Sequence, residues 1–232
     1  MIRYRWYHLI LAVFVTTLIV SNIIAVKVVS IFGLILPAAV ILFPVAYIIG
    51  DVLTEVYGYG RARQAIWIAF GCNLLAVAAI WIAGVLPPAS SWTVGEFSGP
   101  EEAAHAFQAI LGFAPRLLVA SFIAYLTGEF VNSFILAKMK IITQGRYLWM
   151  RTIGSTLIGQ GIDSLLFISI AFYSVLPSSV LVSAILAQWF VKSAYEILAT
   201  PLTYLVVNAL KRAERIDAFD THTDFNPLQF GK

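Results

Sequence analysis

The stretch Gln64–Leu86, QAIWIAFGCNLLAVAAIWIAGVL, decides the class of this protein because its 23 residues include no charged side chain. A helix of that length rises by about 35 Å, which is enough to cross the hydrocarbon core of a bilayer. Across all 232 residues, 60% are hydrophobic, only 12% are charged, and the mean hydropathy is +0.88. Soluble domains carry about 25% charged residues. The composition therefore excludes an ordinary soluble enzyme and predicts a protein dissolved in lipid.

Six apolar stretches are long enough to form membrane-spanning helices. They are Trp6–Val26, Ile31–Tyr57, Gln64–Leu86, Pro115–Leu136, Thr152–Leu176 and Val180–Leu210. Because these runs lack the alternation of an outer-membrane barrel, we expect no strands. We expect kinks at Pro37, Pro44 and Pro201 in the second and sixth spans. The sequence thus predicts an all-α, polytopic integral membrane protein with six transmembrane helices.

The basic residues predict the orientation of the spans. With six spans, both termini and the connections after spans two and four lie on one side of the membrane. That side carries Arg3, Arg5, Arg61, Arg63, Lys138, Lys140, Arg146, Arg151, Lys211, Arg212, Arg215 and Lys232. The opposite side carries only Lys27 and Arg116, and Lys192 lies within the sixth span. The positive-inside rule therefore predicts that both termini are cytoplasmic.

The spans and their connections predict a simple domain organisation. Residues 1–212 are expected to form one transmembrane domain, with an exterior loop at about 87–113 that contains a short helix near Glu101–Ile110. Residues 213–232 are polar and are expected to form a cytoplasmic tail. The first apolar run is long and lacks a clear small-residue cleavage site, so we expect no cleavable signal peptide.

Few residues offer disulfide, metal or cofactor chemistry. Cys72 is the sole cysteine, which excludes an intrachain disulfide. His8, His105 and His222 are too scattered to form a metal site with the intramembrane acids. The basic residues lie between apolar runs rather than on a soluble face, so we expect no nucleic-acid partner. We predict neither a metal nor a cofactor.

Two pairs of spans share short sequence patterns. Asn22-Ile-Ile-Ala-Val in span one matches Asn73-Leu-Leu-Ala-Val in span three. Ala46-Tyr-Ile-Ile-Gly-Asp51 in span two matches Ala124-Tyr-Leu-Thr-Gly-Glu129 in span four. The order is preserved, and each matched pair has the same membrane orientation. We interpret the pattern as a hypothesis of parallel hairpin duplication.

Polar side chains interrupt three of the later spans. They are Glu129 and Asn132 in span four, Gln160 and Asp163 in span five, and Gln188, Lys192 and Glu196 in span six. The last three are spaced by four and share one helical face. Each charge at a helix centre costs at least about 2.5–3.5 kcal/mol, so it needs a partner or a wet cavity. Two interpretations stay open: an ion-pair network that fixes helix register, or a convergent solute pathway.

A second polar segment ends the second span. Asp51 and Glu55 share a helix face, and Arg61 and Arg63 follow a break at Gly58 and Gly60. One interpretation is that the two arginines fold back to pair with the two acids. The other is that these four residues take part in coupling or gating.

The same segment carries a family resemblance. Ser21-Asn22 through Lys27, Phe43-Pro44, Gly50-Asp51, Leu53-Thr54-Glu55, Tyr57-Gly58-Tyr59 and Ala62-Arg63 resemble the queuosine precursor transporter family, the YhhQ-like or Vut group. The resemblance implies uptake of 7-deazaguanine precursors, mainly 7-cyano-7-deazaguanine, across the bacterial inner membrane for tRNA modification. It makes a small molecule and the lipid bilayer the expected partners.

The polar inventory suits such a ligand. A deazaguanine presents N1–H and an exocyclic amine that one carboxylate can accept together, while its O6 needs a donor. We hypothesise that Glu196 or Asp163 reads this edge and that Gln188 and Lys192 read the carbonyl. The full set of candidate substrate-binding residues is Asn22, Asn73, Glu129, Gln160, Asp163, Gln188, Trp189, Lys192 and Glu196.

The sequence leaves the transport mechanism open. It contains no Walker motif or Gly-rich phosphate loop, so we expect secondary or facilitated transport without an ATPase of its own. An alternative is a substrate-binding subunit of an ATP-driven importer, similar to vitamin S-components. An intramembrane enzyme is a third class, but Gly159-Gln-Gly-Ile-Asp163 departs from the aspartyl protease motif, so no enzyme is predicted. Small residues on the helix faces are compatible with a homodimer.

Overall fold

The computed structural model describes residues 4–31, 34–92, 95, 97–112 and 115–229. In chain order, its elements are α1 (Tyr7–Ile24), β1 (Val28–Ile31), β2 (Leu34–Pro37), a 3₁₀ turn (Ala38–Ile41), α2 (Phe43–Tyr57), α3 (Tyr59–Val85), α4 (Pro100–Leu111), α5 (Pro115–Ile142), α6 (Leu148–Phe172) and α7 (Ser178–Glu214). Five stretches are long and apolar enough to span a membrane: α1, α3, α6, α7 and the stretch Pro100–Ile142, which contains α5. The protein is thus an α-helical, multi-pass membrane protein.

The second predicted span is built differently from the prediction. A continuous helix over Ile31–Tyr57 and the absence of strands were both wrong, because β1 and β2 form an antiparallel hairpin in which Val28 pairs with Pro37. The β-branched residues of this run suit a strand as well as a helix. Helix α2 has only 15 residues and rises by about 22 Å. It is therefore shorter than the roughly 30 Å hydrocarbon core.

Two prolines in this segment mark boundaries of elements rather than kinks. Pro37 ends β2 and precedes the 3₁₀ turn, and Pro44 lies in the first turn of α2. Proline is favoured in that first turn because its missing N–H would have no intrahelical acceptor. Pro201 lies inside α7, which continues through it as one helix.

One end of the bundle collects the start of α1 and the ends of α2, α5 and α7. Glu214 at the end of α7 accepts hydrogen bonds from the backbone N–H groups just before α1 and from the Tyr57 hydroxyl at the end of α2. Lys140 from the end of α5 and Arg151 from the start of α6 both bind Glu55 of α2. We call this the basic end. Residues 25–57 therefore return the chain to the end at which α1 begins.

Two glycines let α5 and α6 approach closely. A β-carbon on Gly128 would lie 2.8 Å from the Asp163 β-carbon, and one on Gly159 would lie 2.9 Å from that of Asn132. Atoms this close would overlap, so larger residues would push the two helices apart. The crossing brings the polar residues of α5 and α6 into the same layer of the bundle.

The far end carries the connection between α3 and α5. The short helix predicted near Glu101–Ile110 is confirmed as α4, and Gln108 ties it to α3 by donating to the Gly84 carbonyl at 2.7 Å. An apolar cavity of about 530 Å³ lies between these helices, and none of the described residues that line it is charged. Residues 93, 94, 96, 113 and 114 of the predicted exterior loop fall outside the described residues, as do Arg3 and Lys232.

The segment after α7, residues 215–229, folds back over the basic end. The Ala218 N–H donates to the Val56 carbonyl at 3.2 Å, and Asp220 accepts from the Tyr59 N–H at 2.9 Å. Asp220 thereby caps α3, which begins directly after a glycine and lacks a capping side chain of its own. Phe225 packs on Tyr59 with ring centroids 4.9 Å apart. We call residues 215–229 the C-terminal segment.

Gly58 makes this arrangement possible. It forms the whole connection between α2 and α3 with φ at 84°, which favours glycine. A β-carbon there would lie 3.1 Å from Asp220 Oδ1 and 3.2 Å from the Ala218 β-carbon. The C-terminal segment therefore lies directly against the turn that the sequence motif predicted to be a break.

Candidate functional site

Four acids from four different helices gather inside the bundle. Asp51 of α2, Glu129 of α5, Asp163 of α6 and Glu196 of α7 form what we call the acidic cluster. The charges of Glu129 and Glu196 both act on Asp51, and those of Asp163 and Glu196 act on Glu129. Tyr47 lies among the same acids, within electrostatic reach of Asp163, Glu129 and Glu196. Three of the four acids were predicted to bind substrate and the fourth to act in coupling.

Lys192 brings a positive charge to this cluster. Its ammonium forms an ion pair with the Asp163 carboxylate across the α6–α7 contact. The side chains of both residues are 17% exposed, so the pair is only partly buried. The polar residues of α6 and α7 that the sequence singled out are thus joined directly by one ion pair.

Asp51 and Glu196 lie deeper than the ion pair, and each is only 1% exposed. Asn132 of α5 donates from Nδ2 to Asp51 Oδ1 at 3.2 Å. Thr54, which shares a helix face with Asp51, donates to the Ser133 hydroxyl of α5 at 3.1 Å. The three-residue spacing of Asp51 and Thr54 on α2 thus matches two successive residues, Asn132 and Ser133, on α5 and fixes the contact between the helices.

Glu55 holds a separate cluster of charges at the basic end. Its carboxylate accepts from Arg151 at 2.8 and 3.3 Å and from Lys211 at 2.7 Å, and Lys140 Nζ lies 3.5 Å away. Asp217 of the C-terminal segment contacts both lysines, at 2.5 and 2.8 Å. Glu55, Lys140 and Arg151 are all at most 1% exposed. We call these five residues the Glu55 cluster.

The C-terminal segment completes the electrostatics of the Glu55 cluster. Burial of Asp217 acts to raise the pKa of its carboxyl, but the hydrogen bonds and charges of Lys140 and Lys211 outweigh that effect. The pKa of Asp217 is consequently held below its usual value. Asp217 therefore stays negatively charged at neutral pH and balances one of the three cations.

The interpretation that Arg61 and Arg63 pair with Asp51 and Glu55 is wrong. Arg61 donates to Gln64 and lies over the Tyr4 ring at 5.0 Å. Arg63 instead donates to carbonyl oxygens of the C-terminal segment at 2.7 and 3.0 Å. Both arginines lie in the first two turns of α3, and the cations that contact Glu55 come instead from α5, α6 and α7.

The two asparagines among the candidate substrate-binding residues, Asn22 and Asn73, bind each other. Asn22 Nδ2 donates to Asn73 Oδ1 at 2.9 Å across the α1–α3 contact. In the part of the chain that the structure describes, no hydrogen bond or ion pair joins them to the acidic cluster. The other repeat-matched pair also lies together, because Asp51 and Glu129 both belong to that cluster. Each matched pair thus lies close together in the bundle, and the duplication stays a hypothesis.

The remaining candidates occupy different positions. Gln160 is buried one turn before Asp163 on α6, and Gln188 is half-buried one turn before Lys192 on α7. Trp189 donates from its indole N–H to the Leu157 carbonyl at 2.8 Å and covers α6 beside Gly161. It is committed to helix packing rather than to the acidic cluster.

Sequence reasoning missed the partners of Glu55. Lys140, Arg151 and Lys211 were counted only as markers of the cytoplasmic side, although two of them are buried. A signal was available, since Arg151 and Lys140 flank a connection of only five residues, 143–147, between α5 and α6. Long charged side chains so close to helix ends can point into the bundle as well as towards water, and here both contact Glu55.

Comparison with known proteins agrees with this architecture. Residues 37–206 match the family described as "Putative vitamin uptake transporter". The chain belongs to that family. Membership of this family points to a transporter rather than an enzyme. The match begins at Pro37 and so includes the acidic cluster and most of the Glu55 cluster.

Two bacterial relatives in curated collections carry more specific names. A "Probable queuosine precursor transporter" of Bacillus subtilis (strain 168) is 26% identical over 84% of this chain and 82% of its own length. A "Queuosine precursor transporter" of Escherichia coli (strain K12) is 28% identical over 56% of this chain and 52% of its own length. These bacterial relatives support a location in the inner membrane. No solved structure matches this chain.

Proposed function

We propose that this protein takes up queuosine precursors of the 7-deazaguanine class, with 7-cyano-7-deazaguanine as the main ligand, across the bacterial inner membrane. The names of its two relatives support this substrate class. The proposed mechanism is secondary or facilitated transport without an ATPase in the chain. The proposal keeps both termini in the cytoplasm, supported by the many basic residues at the end where α1 begins and α7 ends.

The Asp163–Lys192 ion pair is the observation that carries the proposal. It presents a carboxylate and an ammonium side by side, partly exposed, between two membrane-spanning helices. A 7-deazaguanine carries N1–H and amine donors next to the O6 acceptor, so its edge is complementary to this pair. In this proposal Asp163 accepts from the ring edge, Lys192 donates to O6, and Gln160, Gln188 and Glu129 lie around them.

Ligand-dependent thermal stabilisation tests the proposal. A ligand that binds only the folded state stabilises it by about 2.7 kcal/mol at one hundred times its dissociation constant. We expect 7-cyano-7-deazaguanine to raise the melting temperature of the purified protein, while adenine does not because it has an amine in place of the O6 acceptor. Guanine is the second control, and its shift in melting temperature should lie between those of 7-cyano-7-deazaguanine and adenine.

Two variants make the thermal test specific to the site. Asp163→Asn should abolish the shift because one of the two acceptor oxygens becomes an NH₂ group, which would face a ring donor. Glu101→Gln is the matched control, since Glu101 is exposed on α4 at the far end of α3. A shift that is equal with adenine, or that survives in Asp163→Asn, would show that the ion pair does not read this ligand.

Reconstitution separates the two transport mechanisms. Uptake of labelled 7-cyano-7-deazaguanine by liposomes that contain only this chain, without ATP, would support a secondary or facilitated transporter. Uptake that requires an added ATPase module would instead support the S-component-like alternative. The second outcome would leave the ligand assignment in place and overturn the proposed mechanism.

A further inference from the structure

Asp51 and Glu196 form a buried carboxyl pair that has no cation. The two carboxyl groups come from α2 and α7 and lie within hydrogen-bonding range of each other. Lys192, the positively charged residue on the same face of α7, is committed to Asp163. Lys140, Arg151 and Lys211 are committed to the Glu55 cluster. Among the described residues, none of these four cations forms an ion pair with Asp51 or Glu196.

Hydrogen-bond donors are scarce around the same pair. Among the described residues, none donates to either oxygen of Glu196 or to Oδ2 of Asp51. Two further buried polar atoms beside the pair also have no partner there: Oδ1 of Asn132, whose amide contacts Asp51, and the hydroxyl of Ser193, one turn before Glu196. All four side chains are more than nine-tenths buried. The structure thus holds several acceptors that point to a bound positive species.

Two ionised carboxylates cannot remain in this position. Each is an acceptor only, so they cannot hydrogen-bond to each other while both are charged. Burial and mutual repulsion also oppose the second negative charge, as in other sites where two carboxyls meet. One proton removes both difficulties because the protonated group becomes a donor to its neighbour.

We infer that Asp51 and Glu196 share one proton and that this pair is the proton-binding site of the carrier, distinct from the Asp163–Lys192 ion pair. Of the other charged groups near it, Glu129 on α5 and Glu55 on α2 add repulsion that favours uptake of the proton. Asp163 is neutralised by Lys192, and Tyr47 of α2 stays uncharged at neutral pH. Glu129 is partly exposed, whereas Asp51 and Glu196 are each only 1% exposed.

The pair gives the carrier a means of coupling, and this part of the inference rests on the proposed function. With the proton bound, α2 and α7 can stay in contact. When the proton leaves, two like charges face each other and the contact is opposed. The step forms and breaks one O–H bond, taking a proton from one side of the membrane and releasing it on the other. Binding and release of the proton thereby bias two arrangements of the bundle.

Infrared spectroscopy tests the proton without any transport. The purified protein at neutral pH should show the C=O band of a protonated carboxyl, and the band should disappear in Glu196→Gln and in Asp51→Asn. Both changes place a neutral side chain of nearly the same shape in the pair, so we expect folded proteins. The exposed Glu101→Gln variant should keep the band. A band that is absent from the unaltered protein, or that survives both substitutions, would overturn the inference.

Gradient-driven transport tests the coupling. In liposomes with an inward proton gradient, labelled 7-cyano-7-deazaguanine should accumulate, and a protonophore should abolish the accumulation. Glu196→Gln should lower the ratio of accumulation to exchange at least tenfold, because its pair no longer releases a proton. Accumulation that follows a sodium gradient instead, with choline as the control cation, would show that the species is not a proton.

The two tests separate the failure of this inference from that of the proposed function. If the unaltered protein neither binds nor exchanges the deazaguanine, the proposed substrate is wrong, yet the infrared band still decides whether the pair is protonated. If exchange occurs and the band is absent, the substrate stands and the proton site is wrong.

Discussion

Glu55→Gln should destabilise the protein more than any other single change of charge at the basic end. Glu55 is fully buried and contacts Arg151 at 2.8 Å and Lys211 at 2.7 Å. At an effective dielectric constant of about 20, each of these contacts corresponds to about 6 kcal/mol of direct attraction. Most of that attraction offsets the cost of removing the charges from water. What matters for the variant is that Arg151 loses its carboxylate partner, while Lys140 and Lys211 must share Asp217 alone.

The expected net loss is about 3–5 kcal/mol, as found when one partner of a buried ion pair is removed. Glutamine still offers one acceptor oxygen, so we expect the lower end of this range. For a chain of this size, a loss of about 3 kcal/mol corresponds to a fall in melting temperature of about 6–12 °C. The measurement is thermal unfolding in detergent micelles, followed by tryptophan fluorescence at one fixed heating rate because membrane proteins often unfold irreversibly.

Two further variants make the result interpretable. Glu101→Gln removes an exposed acid and should cost less than about 1 kcal/mol. The double variant Glu55→Gln/Arg151→Gln removes the charge that the single variant strands, so its cost should be at least about 1 kcal/mol smaller than the sum of the two single costs. Additive costs, or a Glu55→Gln melting temperature within 2 °C of the unaltered protein, would refute the reasoning that this cluster is a coupled, buried network.

Three further predictions follow from the packing and from the C-terminal segment. Gly159→Ala should lower the free energy of unfolding by about 1–3 kcal/mol because its β-carbon would overlap α5. Gly71→Ala is the control, since its β-carbon would meet nothing within 4 Å and should not lower the melting temperature. Equal melting temperatures of the two variants would contradict the close crossing of α5 and α6. Asp220→Ala should cost about 1 kcal/mol through loss of the cap on the Tyr59 N–H, and an unchanged melting temperature would argue against that contact. Because the folded pKa of Asp217 lies below its unfolded value, its contribution is complete above about pH 4 and is lost as the pH falls through the folded pKa. The rate of limited proteolysis of the C-terminal segment should therefore be unchanged between pH 7 and about pH 5. The rate should be higher in Asp217→Asn. Faster cleavage of the unaltered protein at pH 5 than at pH 7 would contradict the contribution of a charged Asp217.

The long helices were predictable because each depends on a property that hydropathy measures directly. Gln64–Leu86 and Thr152–Leu176 carry continuous apolar runs, and α3 and α6 cover nearly the same residues. The hairpin at Val28–Pro37 was not predictable in this way, because β-branched residues are equally apolar in a strand and in a helix. Hydropathy gives the depth of a residue in the membrane but not the path of its backbone.

The acidic residues were found for a similar reason, and their partners were not. Asp163, Lys192 and Glu196 interrupt apolar helices, so the sequence alone makes them conspicuous. Which cation meets which acid depends on helix crossings, such as the one at Gly159, that no local pattern reveals. The nearest cations in sequence, Arg61 and Arg63, were consequently the wrong choice for Glu55.

The polar composition of the C-terminal segment gave no indication that it would pack against the bundle. Its contacts come from scattered groups, including Asp217, Asp220 and Phe225, rather than from an apolar face. Such a segment cannot be recognised by periodicity, because each anchoring residue fits one particular position on the bundle. Its docking depends on the space beside Gly58 and on the hydrogen bond from Lys140, which only the structure reveals.

The spacing of the Glu55 cluster along the chain has a consequence for biosynthesis. The groups that bind Glu55 or its backbone carbonyl come from residues 85, 96 and 156 positions later in the chain. When α2 emerges from the ribosome, none of those cations has been made, so its acidic end has no partner in the lipid. Stable insertion of α2 must therefore wait for α5, α6 and finally α7. A nascent chain that stops before Lys211 should therefore hold α2 at the membrane only through α1 and α3, with Glu55 still lacking one of its two closest cations.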